Sequence, residues 1–84
     1  MCSYITETTA LVGSAKGPDG WVNVTSANVY FDHPYHAALD HALSIDFLTP
    51  DSGQRVAVEL SADSARALVA RILSALATGE AEHA

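Results

Sequence analysis

A small α+β protein, with a four-stranded antiparallel sheet and one C-terminal amphipathic helix packed on one face in the order ββββα, is the fold this sequence predicts. Three observations predict it. Two turn-forming clusters, Lys16-Gly17-Pro18-Asp19-Gly20 and Thr49-Pro50-Asp51-Ser52-Gly53, interrupt stretches rich in β-branched and aromatic residues. The segments on either side of the second cluster alternate apolar and polar residues, the signature of half-buried strands. The C-terminal third alone carries a helical period.

The first strand covers Tyr4 to Val12, where Ile, Thr and Leu dominate, and it ends at Gly13. Pro18 fixes φ for a reversal and the flanking Gly17 and Gly20 tolerate positive φ, so the chain turns here. A second strand then runs from Trp21 to about His33. Its alternation changes phase, with Val22 and Val24 on one side and Val29 and Phe31 on the other, which predicts a bulge near Ser26 to Asn28. His33-Pro34 closes the strand, because proline cannot donate to a ladder. A loop reaches to Ala38.

The third strand, about His41 to Leu48, sets Leu43, Ile45 and Phe47 on one face and Ser44 and Asp46 on the other. Arg55 to Leu60 forms the fourth, with Val56, Val58 and Leu60 facing inward and Glu59 outward. Ser61 is a good N-cap, and Asp63 in the first turn suits the positive end of the helix dipole. From Ala62 to about Thr78 the apolar positions Ala65, Leu68, Val69, Ile72, Leu73 and Leu76 follow helical spacing. Gly79 is placed to end the helix, leaving Glu80 to Ala84 as a short tail.

Composition bounds what this domain, residues 1–84, does. An 84-residue chain buries only about two-thirds of its unfolded surface, so self-association, a metal or a ligand would each supply stability that a thin core lacks. Hydrophobic residues make up 49% of the chain, enough for it to fold. Ten acidic residues against four basic ones give a net charge of −6, and Lys16, Arg55, Arg66 and Arg71 are dispersed. That balance argues against nucleic acid and anionic membranes as partners. One cysteine rules out an intrachain disulfide, and neither a signal peptide nor a membrane anchor is read, so the expected compartment is the cytoplasm.

His33, His36 and His41 lie within nine residues, and a hairpin turning near Pro18 brings Cys2 opposite His33. Imidazole and thiolate are ligands for zinc first, and for iron or copper next. Cys2, His33, His36 and His41 are therefore the candidate metal site, with Asp32 or Asp40 available to fix an imidazole tautomer. An open coordination position would let the metal acidify water or polarise a carbonyl of a small polar substrate. The His33-x2-His36-x4-His41 spacing matches no standard zinc signature, however, and Cys2 with His33 also reads as a thiolate and base. Histidines that merely support the loop are the simpler alternative.

Other groups carry less. Asp46 and Glu59, on adjacent strands, read as a solvated pair beside Arg55. Gly13-Ser14-Ala15-Lys16-Gly17 lacks both the spacing and the following helix of a phosphate loop. Trp21, Tyr30 and Tyr35 are expected to finish the core or line a pocket. The sheet face opposite the helix, with Asn28, Tyr30, Ala42 and Ala57, is expected to meet water or a second subunit.

Met1-Cys2-Ser3-Tyr4-Ile5-Thr6-Glu7, Val29-Tyr30-Phe31-Asp32-His33-Pro34 and Arg55-Val56-Ala57-Val58-Glu59-Leu60 resemble a family of short actinobacterial proteins of unknown function. The resemblance covers nearly the whole chain and implies no activity. The residues themselves point to a metal or small-ligand site at the histidine cluster, possessed by an enzyme or not. The alternative is a non-catalytic homo-oligomeric binding or interaction protein.

Overall fold

A computed structural model of the chain describes residues 6–52 and 56–83. Four strands, β1 (Glu7–Gly17), β2 (Gly20–Asp32), β3 (Ala42–Leu48) and β4 (Val56–Leu60), precede one helix, α1 (Ala62–Glu82). The strands form an antiparallel meander in the order β1-β2-β3-β4. Class, element order and topology are those the sequence predicts. The ends of the elements are not all so.

β1 runs on through Gly17, so the glycine-rich stretch after Val12 is strand rather than turn. Gly17 pairs with Gly20 across Pro18 and Asp19, and Gly20 takes φ 112°, a value that strongly favours glycine. The irregularity predicted near Ser26 lies slightly earlier, and its extra residue belongs to β1. Ala10 pairs with Ser26 and Gly13 with Val24, which leaves Leu11 and Val12 opposite Thr25 alone. At the second turn, the Ser52 amide donates to the Thr49 carbonyl at 3.0 Å. Cys2 and Arg55 fall outside the described residues.

Cross-strand partners share a face, so the register sorts the side chains. Ala27, Phe47 and Val56 form one row, Val29, Ile45 and Val58 a second, and Phe31, Leu43 and Leu60 a third. That face is apolar throughout. Asn28 with Asp46 and Ala57, and Tyr30 with Ser44 and Glu59, make the opposite face polar.

The helix meets the expected face of the sheet, through a shorter stretch than its periodicity suggests. Ser61 caps it, accepting from the Ser64 amide at 3.1 Å in an extended conformation (φ −64°, ψ 158°). One connecting residue thus sends the chain from β4 straight into α1. Only the first turn meets the apolar face, where Ala62, Ala65 and Arg66 border a crevice of about 340 Å3 with Phe31 and Leu43. No helical residue is buried, and Leu73 is 61% exposed. The helix also continues through Gly79 to a cap at His83, whose amide donates to the Gly79 carbonyl at 3.0 Å. A mid-helix glycine costs about 1 kcal/mol, and the alanine and glutamates that follow are strong helix formers.

Burial is correspondingly sparse. Among the described residues the buried apolar side chains are Val24, Ala27 and Ala42, joined by Ser44 and Thr49. Trp21, expected to finish the core, is exposed, as is Tyr35.

Candidate functional site

The polar face is closed by the loop between β2 and β3. Ladder pairing fixes Glu59 opposite Ser44, so its carboxylate rises from the sheet beneath that loop. Three successive backbone amides converge on it: Tyr35 donates to Oε2, while His36 and Ala37 donate to Oε1 at 3.0 and 2.9 Å. Consecutive amides pointing one way make an anion-binding concavity, and here the anion is a side chain of the same protein. The Ala37 amide, then those of Tyr35 and His36, together with the charge of the nearby His36 imidazole, hold Glu59 below its ordinary value of 4.5. Desolvation acts in the opposite direction and is outweighed.

Beside this staple lies a cleft of about 520 Å3, lined by Tyr30, Tyr35, His36, Ser44, Asp46 and Glu59 among others. The Tyr30 hydroxyl donates to Asp46 Oδ2 at 3.1 Å, and Ser44 is buried at its floor. The two carboxylates read in sequence as a solvated pair are therefore engaged separately, Asp46 by a phenol and Glu59 by the loop. A carboxylate holding three amides is a structural anchor, not a general base. Sequence reasoning missed this role. Its one visible signal was an acidic residue at an otherwise ordinary outward strand position.

The histidines divide between the two sides of the sheet. His41, one residue before β3, stacks on Phe31 with ring centroids 5.4 Å apart and planes 16° apart, as its shared phase with Leu43 predicts. His33 lies against His41 at 4.7 Å, and its Nδ1 is 3.0 Å from the Asp40 carbonyl, to which it donates as the Nδ1–H tautomer. His36 instead lines the cleft over Glu59. His33 and His41 are thus brought together and His36 is directed elsewhere. Among the described residues, no group of three or more His, Cys, Asp and Glu side chains is arranged to hold a metal ion. Cys2, the fourth candidate ligand, is outside them.

A larger unsatisfied feature is apolar. Leu68, Val69, Ile72, Leu73 and Leu76 form one exposed stripe along α1, and on the sheet Phe31 and Val58 stay 46% and 39% exposed. The chain exposes 6295 Å2, whereas a compact monomer of its 8.8 kDa exposes about 4,800 Å2. Its radius of gyration, 14.5 Å, exceeds the roughly 12 Å of a compact chain of this length. No described helix is long and apolar enough to cross a membrane.

The chain belongs to DUF6295, a family of unknown function whose model matches residues 1–84. Searches of the curated proteins and of the solved structures return no match.

Proposed function

We propose that this member of a family without an assigned activity is a non-catalytic, self-associating interaction protein of the cytoplasm, with histidines that serve its structure. The observation that carries this reading is the unburied apolar surface on both helix and sheet. A stripe of five large aliphatic side chains is too extensive to be scattered surface hydrophobes, and contiguous exposed patches of this kind mark interaction sites. Against it, the polar cleft has its carboxylates engaged in holding the fold. Sedimentation equilibrium tests the reading: a dimer or larger assembly is expected, and a monomer at roughly 10 µM and above overturns it.

A second reading is favoured by the His33–His41 pair. Two adjacent imidazoles supply part of a transition-metal or small-ligand site, to which Cys2 or His36 would have to be added. Zinc is the first candidate and iron or copper the next. Elemental analysis after gel filtration decides it, since stoichiometric metal lost in His33→Ala is the required result.

A further inference from the structure

We infer that the occupant of the apolar sheet face is the helix of a second copy of this chain, exchanged reciprocally about a two-fold axis. The inference rests on the self-association reading and specifies its interface. Each chain presents a sheet face on which Phe31 and Val58 stay exposed and a helix stripe exposed from Leu68 to Leu76, and only the first helical turn brings the two together. Ser61 is the sole residue between β4 and α1, and beyond its first turn the helix leaves the sheet. A two-fold operation supplies what each copy lacks, helix for sheet and sheet for helix.

Dimensions agree. From Leu68 to Leu76 the stripe is about 12 Å long at the α-helical rise. The rows of β2, β3 and β4 span about 10 Å between outer strands at the usual strand spacing. The stripe is therefore long enough to cross all three strands that carry Val29, Ile45 and Val58. Area agrees as well. The excess over a compact monomer is about 1,500 Å2 per chain, part of it on the β1–β2 hairpin beyond β3, and it leaves room for an interface of at least the standard size of about 1,600 Å2 per pair.

Charge agrees too. The nine apolar positions of the three sheet rows contain no ionisable group. On the helix, Arg71 lies well around from the stripe by ideal helical geometry, and Asp63, Glu80 and Glu82 lie beyond its ends. Arg66, at the edge of the stripe, and His41 with His33, against Phe31, are the ionisable groups that border these surfaces; Arg66 is paired with Asp63, and the acidic surplus of each copy stays at the periphery. Pairing helix against helix would satisfy the two stripes and leave both sheet faces in water. The reciprocal arrangement covers both.

The test uses single-cysteine proteins on a Cys2→Ala background, one carrying Val58→Cys on the sheet and the other Ile72→Cys on the helix. The two are refolded together and treated with a short bismaleimide. A mixed Val58→Cys/Ile72→Cys product several-fold above either like-with-like product is expected. A dominant product joining two Ile72→Cys chains overturns the exchange while leaving self-association intact, and a monomer by sedimentation overturns both. Because a substituted chain can fail to fold, the unaltered protein gives an independent readout. In a mixture of isotope-labelled and unlabelled copies, intermolecular NOEs between Ile72 and Ile45 methyls are expected, and contacts confined to Leu73 with Leu73 overturn the arrangement.

Discussion

The two faces of this sheet are completed in different ways. On the polar face one side chain, Glu59, anchors a nine-residue loop by three directional hydrogen bonds. On the apolar face, Phe31 and Val58 stay exposed and most of the positions around them are covered only in part, because the helix of the same chain meets that face through its first turn alone. The difference follows from the forces involved. Hydrogen bonds to a charged group are short-ranged and are satisfied by a few well-placed atoms. Burial scales with area, about 25 cal/mol per Å2, so it needs an extended surface. A chain of this length completes the first within itself, and in the proposed dimer the second is met between copies.

The strongest way to break that contrast is to charge the helix stripe. Ile72→Glu combined with Leu73→Glu places two carboxylates where the proposed interface is dry. Sedimentation should show the assembly dissociating, with the dissociation constant raised roughly a thousandfold or more. The polar face should be indifferent to this change. Amide exchange at Tyr35, His36 and Ala37 is expected to stay slow in the monomer, because Glu59 belongs to the same chain as the loop.

The reverse experiment is Glu59→Gln, which keeps the shape and removes the charge. Exchange at those three amides should accelerate by roughly tenfold, while the sedimenting mass stays as it was. Loss of the assembly in this variant would show that the two faces are coupled, and the contrast drawn above would fail.

Acid gives a gentler version. Glu59 is more acidic in the folded protein than its ordinary value of 4.5, so the stabilisation it provides is fully present above that value. It is lost as pH falls through the lowered folded value. Protection of the loop amides, corrected for the intrinsic exchange rate, should therefore begin to fall only below about pH 4.5. Protection already lost well above that pH would show that Glu59 does not set the loop's stability.

The sequence carried more of the fold than of the site, for physical reasons. Alternation at Leu43, Ile45 and Phe47 and at Val56, Val58 and Leu60 is a local property of strands, so the apolar face was legible before any coordinates. So was the helix, whose 3.6-residue period shows at Leu68, Val69, Ile72, Leu73 and Leu76. A period says that a stripe exists and is silent about what it meets, and the one-residue connection at Ser61 decides that. The staple was illegible because its donors are backbone amides, which no side-chain pattern announces. The histidines looked like one cluster because they are close in sequence. They separate because His41 follows the strand phase to Phe31 while His36 sits where the loop crosses to the other side.

The smallest expected effect concerns Arg66, which borders the crevice at Phe31 and Leu43 and pairs with Asp63 at 3.1 Å. Both partners are largely exposed, so the ion pair contributes at most about 0.5 kcal/mol. Arg66→Ala should lower the unfolding midpoint by only a degree or two and leave the assembly unchanged, as read by calorimetry and sedimentation. That near-silence is informative because Arg66 stands where the helix leaves its own sheet. If the alanine variant weakened the assembly by tenfold or more, the arginine stem or charge would lie inside the interface. The apolar stripe would then no longer suffice to explain what holds two copies together, and the contrast between a face closed by charge and a face closed by area would have to be redrawn at this corner.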